Sequence, residues 1–209
     1  MNGLLITLEG IEGSGKSTQI ELLRTRLKSL NLPVTVTRQP GGTRIGESIR
    51  KILLDPKHVG MDSRAELLLY AADRAQHVAE VVQPKLDTDH ICLCDRFADS
   101  TTAYQGAGRA IGDEDIEWLQ RFALQGCMPD LTLLIDLPVK DGLARAAKAS
   151  NPDRMEREAV DFHERVRESF LAIAKNDPGR VKVIDGSDPV DAVAEAIWAH
   201  VAPVVERVR

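Results

Sequence analysis

Apolar runs of strand length alternate with helical patterns along the whole chain. The apolar runs predict five strands, over residues 3–8, 34–37, 90–94, 131–137 and 181–184. Apolar residues at helical spacing predict helices between these strands, over 16–30, around 45–53, over 63–86 and over 190–208. Because strands separated by helices form parallel sheets covered on both faces, we predict a doubly wound α/β fold. Ligands of such sheets bind beyond the carboxyl ends of the strands.

We predict one domain spanning residues 1–209, with a short lid. A chain of 209 residues can bury a sizeable core, and no internal repeat, low-complexity tract or linker interrupts the pattern. The segment 147–157 differs from the rest because it is small and polar and is broken by Pro152. Such a segment between two helices is typical of a lid.

Composition narrows the class of protein. Apolar residues make up 43% and charged residues 28%, which excludes a disordered or collagen-like chain. The net charge of -5 disfavours attraction of the whole molecule to nucleic acid or anionic membranes. Any polyanionic ligand must therefore be held by a local basic site.

The sequence favours a cytoplasmic protein. No stretch reaches the length of a membrane-spanning helix, and the apolar run 4–8 ends at Glu9, too early for a signal sequence. Cys92, Cys94 and Cys127 are predicted to be reduced core residues. The five histidines lack metal-ligand spacing, so we do not expect a metal held by protein ligands alone.

A phosphate-binding motif follows the first predicted strand. Residues 10–17 fit G-x-x-x-x-G-K-[ST] directly before an amphipathic helix, which is the context that the motif requires. Its backbone N–H groups would surround a phosphate at the positive end of the helix. Lys16 would reach the β- and γ-phosphates, and the Ser17 hydroxyl would contact Mg²⁺. The predicted ATP-binding residues are Gly10, Ile11, Glu12, Gly13, Ser14, Gly15, Lys16, Ser17 and Thr18.

The third predicted strand leads into an Asp-Arg pair. Asp95 stands where P-loop proteins commonly place a carboxylate that holds Mg²⁺ through water, and Arg96 follows it. By itself the pair is equally typical of a structural ion pair. A phosphate loop indicates a nucleoside triphosphate but not the reaction, so the remaining residues must decide.

Five segments together resemble the bacterial thymidylate kinase family along essentially the whole chain. They are GIEGSGKST from Gly10, RQPGGT from Arg38, YAADR from Tyr70, DRFADSTTAYQGAGR from Asp95 and PDLTLLIDLP from Pro129. The resemblance implies the nucleoside monophosphate kinase fold of P-loop NTPases, with a parallel five-stranded sheet. It also implies transfer of a phosphoryl group from ATP to thymidine 5′-monophosphate (dTMP), with Mg²⁺, in a homodimer that serves dTTP biosynthesis.

The resemblance also assigns roles in binding dTMP. It places Arg38, Arg50 and Arg96 near the monophosphate, where a guanidinium fork suits phosphate oxygens. It assigns the base to Tyr70 and Arg74, which share a helix face, and to Thr101 and Gln105. Glu12 would meet the sugar 3′-hydroxyl, and Tyr104 would crowd the 2′ carbon so that a ribose hydroxyl is excluded. The complete substrate-binding set is Glu12, Arg38, Arg50, Tyr70, Arg74, Arg96, Ser100, Thr101, Tyr104 and Gln105.

The lid is expected to supply the transition-state cation. The variable positions of the phosphate loop contain no arginine, and the resemblance implies that the lid provides one. Arg145 and Arg154 are the favoured candidates, with Lys148 in place of a missing arginine. The catalytic set is therefore Lys16, Asp95, Arg96, Arg145, Lys148 and Arg154. Tyr70 departs from the usual Phe, and Gln39 from the usual Glu, which removes a charge near the Mg²⁺ site.

Two other functions compete with this interpretation. One is another P-loop phosphotransferase, such as a deoxynucleoside kinase or a kinase for a different monophosphate. The other is a nucleotide-dependent switch, although the sequence lacks the N-K-x-D guanine motif and a D-x-x-G switch.

Overall fold

The computed structural model describes residues 3–149 and 151–207. They contain a five-stranded parallel sheet in the order β2-β3-β1-β4-β5, which confirms the predicted fold class. The strands are β1 (Leu4–Glu9), β2 (Val34–Arg38), β3 (Ile91–Asp95), β4 (Leu131–Asp136) and β5 (Val181–Asp185).

The helices lie close to their predicted positions. They are α1 (Lys16–Ser29), α2 (Arg44–Leu54), α3 (Ser63–His77), α4 (Gln83–Leu86), α5 (Ala98–Thr101), α6 (Asp113–Leu124), α7 (Val139–Ala149), α8 (Val160–Asn176) and α9 (Val190–Glu206). A π-helical segment, Val78–Val82, joins α3 to α4, so the long helix predicted over 63–86 is present. A second one, Thr102–Gly108, continues α5. Residue 208, the predicted end of the last helix, lies outside the described residues.

The sheet buries both of its faces. On one face Ile6 and Leu8 of β1 pack with Ile20 of α1 and Ile197 of α9. On the other face Leu5 packs with the α3–α4 segment and α6, and Leu134 of β4 packs with α8. The three cysteines are buried free thiols, as predicted, and two of them share one face of β3.

This topology places the ends of the central strands together. β1 lies between β3 and β4, and the loop that follows it leads directly into α1. The Asp-Arg pair lies at the end of β3, the strand beside β1, with Asp95 as the last residue of that strand. The two motifs that the sequence singles out are therefore neighbours at the carboxyl edge of the sheet, where ligands of open α/β sheets bind.

Candidate active site

The loop between β1 and α1 folds as a phosphate loop. Gly10 and Gly13 have φ values of 137° and 69°, and a Cβ at Gly13 would overlap the carbonyl oxygen of Gly142. A side chain would therefore oppose both the backbone conformation and the contact with α7. These glycines allow the loop to turn tightly while α7 packs against it.

Lys16 is enclosed by this loop. Its Nζ donates to Gly10 O at 3.0 Å, Ile11 O at 2.8 Å and Ser14 Oγ at 3.2 Å. Burial, aided by repulsion from Arg96, lowers the pKa of Lys16 to about 8. The ammonium is thus fixed at the loop centre, where a phosphate would meet it.

Ser17 and Asp95 form the candidate Mg²⁺ site. The Ser17 hydroxyl donates to Asp95 Oδ2 at 3.0 Å, so the two side chains offer oxygen atoms at one point. Oxygen ligands are those that Mg²⁺ prefers, and the pair fits the ion. In the described part of the chain, no group of three or more His, Cys, Asp or Glu side chains could hold a metal. Ser17 and Asp95 supply two oxygen donors, which leaves the other positions around a bound ion to nucleotide phosphates and water.

A cavity of about 310 Å³ adjoins the phosphate loop. All ten substrate-binding residues predicted from the sequence line it, and it also reaches Gln39, Leu54 and three residues of the predicted lid. The predicted residues on its wall are Glu12, Gly13, Lys16, Ser17, Arg38, Arg50, Tyr70, Arg74, Asp95, Arg96, Ser100, Thr101, Tyr104 and Gln105. The structure therefore brings together residues that are distant in sequence.

Three arginines predicted to bind the monophosphate, Arg38, Arg50 and Arg96, line the cavity, and Arg96 contacts the phosphate loop. Arg96 donates to Gly10 O at 2.8 Å and to Glu12 Oε1 at 3.2 Å, which fixes its guanidinium against the loop. Arg50 donates to Pro40 O at 2.8 Å. These cations concentrate positive charge where two phosphates could approach each other.

Arg74 and its partners line a further part of the cavity wall. Arg74 is buried and donates to Gln39 Oε1 at 2.9 Å, Thr101 Oγ1 at 2.8 Å and Phe97 O at 2.9 Å. Tyr70, one helical turn before Arg74, also lines the cavity and is half-buried. Gln39 thus orients Arg74 through its amide oxygen.

Glu12 links the phosphate loop to the rest of the cavity wall. It accepts a hydrogen bond from Tyr104 at 2.6 Å, and its Oε2 lies 3.3 Å from Nδ1 of the fully buried His163. Burial would raise the pKa of Glu12, but His163, Arg96 and Tyr104 together hold it well below its usual range. Sequence reasoning missed His163, because a lone histidine on α8 carries no motif.

The lid residues occupy positions that the sequence does not predict. Residues 147–149 belong to α7 and residue 150 lies outside the described residues, whereas Asp153, Met155 and Glu156 line the cavity. Arg154 is 5% exposed, donates to Leu53 O and pairs with Glu66 at 2.6 Å. Its guanidinium is thus directed to a buried carboxylate rather than to the phosphate loop. Arg145 and Lys148 are exposed on α7 and do not line the cavity.

Glu9, the last residue of β1, holds the loop after the Asp-Arg pair through two hydrogen bonds. The sequence did not reveal this role. Glu9 accepts from Phe97 N at 2.7 Å and from Ser100 Oγ at 2.6 Å. Burial, with the nearby Asp99 carboxylate, raises the pKa of Glu9 from 4.5 to about 7. Because the pKa of Glu9 is higher in the folded than in the unfolded state, proton binding to Glu9 stabilises the fold. This contribution to the free energy of unfolding is fully present below pH 4.5 and is lost as pH rises to about 7.

We therefore expect Glu9→Gln, which mimics the protonated side chain, to reduce the loss of stability between pH 4.5 and pH 7. Between pH 5 and pH 8, the Tm of the variant relative to the wild type should rise by roughly 5 °C. Thermal unfolding followed by circular dichroism at both pH values measures the difference. A constant difference in Tm would show that Glu9 is ionised in the folded protein throughout this range.

Fold and site together define a class of enzyme. A phosphate loop follows the central strand of a parallel five-stranded sheet, and its cavity gathers arginines around the place where a second phosphate would lie. This is the arrangement of a P-loop nucleoside monophosphate kinase.

Comparison with known proteins identifies the family. A family model described as Thymidylate kinase matches residues 8–197. The chain is 51% identical over 205 residues to the thymidylate kinase of Pelobacter propionicus, covering 95% of this chain and 94% of that protein. It is 47% identical to the thymidylate kinase of Pseudomonas putida, over 209 residues and 100% of both chains.

A solved structure agrees with the sequence comparisons. The crystal structure of thymidylate kinase from Ehrlichia chaffeensis is similar with a TM-score of 0.80 at 35% identity, covering 96% of this chain and 100% of that one. The chain belongs to the thymidylate kinase family, whose members phosphorylate dTMP to dTDP with ATP. Among the described residues, no helix is long and apolar enough to cross a membrane.

Proposed function

We propose that this chain binds ATP at the phosphate loop and dTMP in the adjoining cavity, and transfers the γ-phosphoryl group between them. The observation that supports this most is the position of Arg96, which contacts the phosphate loop through Gly10 and also lines the cavity. A cation in that position can neutralise charge as donor and acceptor phosphates approach each other.

The lining of the cavity suits both the phosphate and the base of dTMP. In the proposed complex Arg38, Arg50 and Arg96 would hold the monophosphate. The base would lie against Tyr70 and Arg74, with Thr101 and Gln105 at its edge. Ser100 completes the wall beside Arg96, to which it lies within 3.3 Å.

Ser17 and Asp95 would hold Mg²⁺, Asp95 through water. When bound, the ion would neutralise charge on the nucleotide phosphates. Lys16 acts beside them by holding the β- and γ-phosphates with an ammonium that is already fixed in place.

We assign the lid-side cations to Arg145 and Lys148. α7 begins against the phosphate loop through Gly142, and these two residues follow within two turns of the helix, on its exposed side. Arg154 instead anchors the segment 151–157 over the cavity through Glu66. The whole chain acts as one kinase domain, with residues 147–157 as its lid.

A coupled assay with ATP and Mg²⁺ tests the reaction. Nucleosides and nucleoside monophosphates are offered in turn, and we expect dTMP to give the highest kcat/KM. A preference for a nucleoside would indicate a nucleoside kinase, and ATP binding without turnover would indicate a switch or binding module.

Substitution of Tyr104 tests whether the cavity distinguishes deoxyribose from ribose in the acceptor. The Tyr104 ring packs edge-on against Phe162 and Phe170, with centroids 6.1 Å apart in each case, so it is a rigid wall. We expect Tyr104→Ala to narrow the difference in kcat/KM between deoxyribo- and ribonucleotide acceptors at least tenfold, or about 1.4 kcal/mol.

Tyr104→Phe is the matched control. It keeps the ring and therefore the sugar selectivity, but it removes the hydrogen bond to Glu12 and should lower kcat/KM for both acceptors. If both variants discriminate as the wild type does, sugar selection does not depend on Tyr104.

We propose that the chain forms a homodimer through α3 and α6. These helices pack together and expose Leu68, Trp118 and Phe122, which are 58%, 59% and 63% accessible. The rings of Trp118 and Phe122 are stacked, with centroids 5.8 Å apart. An exposed apolar patch of this kind is typical of a subunit interface. Sedimentation equilibrium tests the proposal, and a monomer at micromolar concentration would contradict it.

We also propose that the protein acts in the cytoplasm. Its three cysteines are free thiols, which persist in a reducing compartment. Cell fractionation tests this location, and recovery of the protein outside the cytosol would contradict it.

A further inference from the structure

Glu66 of α3 is a fully buried carboxylate that accepts hydrogen bonds from several residues. Gln105 donates through Nε2 at 2.9 Å, and Arg109 donates through Nε and a terminal nitrogen at 3.1 and 3.0 Å. Arg154 lies 2.6 Å from Oε2. Burial would raise the pKa of Glu66, but the bonds from Arg109 and Gln105 hold it below its usual value. Glu66 is therefore ionised.

An ionised carboxylate accepts hydrogen bonds and donates none. Gln105 must then turn its NH₂ group toward Glu66, because the opposite orientation would bring its carbonyl oxygen against a carboxylate oxygen. Gln105 is 1% exposed and lines the cavity, so its amide has no solvent to compensate for a reversed orientation. The orientation of the amide is fixed by chemistry, and its carbonyl oxygen is the group left to meet a ligand.

This orientation matters for a pyrimidine base. Thymine presents an N3–H donor beside its O4 acceptor, whereas cytosine presents an N3 acceptor beside an N4 amino donor. Arg74 lines the same cavity and donates to Thr101, four residues before Gln105; it has donors only and suits O4. A carbonyl oxygen at Gln105 accepts N3–H from thymine but faces an acceptor in cytosine. Unpaired polar groups in a closed site give strong discrimination.

We propose that Glu66 is a positioning residue for substrate selection, which locks the Gln105 amide in the orientation that accepts N3–H and so disfavours cytosine monophosphates. This inference rests on the proposed function, since it requires the base to lie at Gln105. It predicts no discrimination between thymine and uracil, which share the N3–H and O4 pattern.

The test compares kcat/KM for dTMP and dCMP in three variants. Glu66→Gln lets the Gln105 amide reverse, and we expect the dTMP-to-dCMP ratio to fall at least tenfold. Glu158→Gln is the control, since Glu158 pairs with Arg109 at 2.7 Å without touching Gln105, and it should leave the ratio unchanged within about twofold.

The reciprocal double variant, Glu66→Gln with Gln105→Glu, keeps the charge of the cluster and places an obligate acceptor at 105. We expect it to restore the wild-type ratio, whereas a purely structural role for Glu66 predicts no restoration. If Glu66→Gln does not fold, the double variant alone tests the inference. A dTMP-to-dCMP ratio of kcat/KM below that of the wild type in the double variant overturns it.

The activity of the wild type with dTMP distinguishes a failure of this inference from a failure of the proposed function. A wild type that does not phosphorylate dTMP overturns the proposed function. A wild type that does, together with an unchanged ratio in Glu66→Gln, overturns only the role of Glu66.

Discussion

Replacing Lys16 with alanine is expected to lower kcat at least about 1,000-fold, or about 4 kcal/mol of transition-state stabilisation. The ammonium is held by two carbonyl groups and a hydroxyl inside the phosphate loop, so no other side chain can take its place at that point. Single-turnover measurement with saturating ATP and dTMP isolates the chemical step.

The free energy of unfolding should fall by less than the transition-state stabilisation that this variant loses. The lost hydrogen bonds involve loop carbonyls that water can reach once the ammonium is gone, so the cost is about 1–3 kcal/mol. Lys28→Ala, on the exposed side of the same helix, is the matched control and should retain wild-type kcat. Near-normal turnover in Lys16→Ala would contradict the assignment of the phosphate loop.

Arg96→Ala is expected to lower kcat/KM for dTMP about 100-fold while changing the KM for ATP less than about threefold. Arg96 lines the cavity and faces the acceptor phosphate in the proposed complex, whereas the ATP site keeps Lys16 and the loop backbone. Initial rates at varied concentrations of each substrate separate the two effects.

Arg96→Lys is the matched control, because it separates the effect of the positive charge from the effect of the guanidinium geometry. Arg96 has a φ of 66°, and both variants retain a Cβ, so they share the same backbone strain. Lysine keeps the charge but loses the fork that suits phosphate oxygens, so we expect an intermediate kcat/KM. Equal losses for dTMP and ATP would place Arg96 at the donor phosphates instead.

The sequence predicted those parts of the fold that depend on local pattern. All five strands were placed within one residue at each end, because buried strands of a parallel sheet are continuous apolar runs. The phosphate loop was found for a similar reason, since its glycines and Lys16 must stand at fixed spacing. A short helix was expected after the Asp-Arg pair, but the π-helical form of residues 102–108 was not predicted, because an i to i+5 bond leaves no distinct pattern of apolar residues.

The parts that depend on distant partners could not be predicted. Arg154 was expected at the phosphates as a lid arginine, but it lies on Glu66, 88 positions earlier in the chain. His163 meets Glu12 only because α8 packs on one face of the sheet and against the segment 102–108, which brings its first turn beside the phosphate loop. Neither pairing has a signature in sequence, since each depends on how buried charges find partners after the chain has folded.

The close packing of Gly13 against Gly142 sets how α7 can move. The two backbones meet without side chains between them, and a Cβ on either residue would overlap the other segment. The first turn of α7 therefore cannot slide along the phosphate loop. A rigid rotation of α7 would therefore turn about this contact, which would act as a pivot. Such a rotation would carry Arg145 and Lys148 through an arc, with the more distant Lys148 travelling farther.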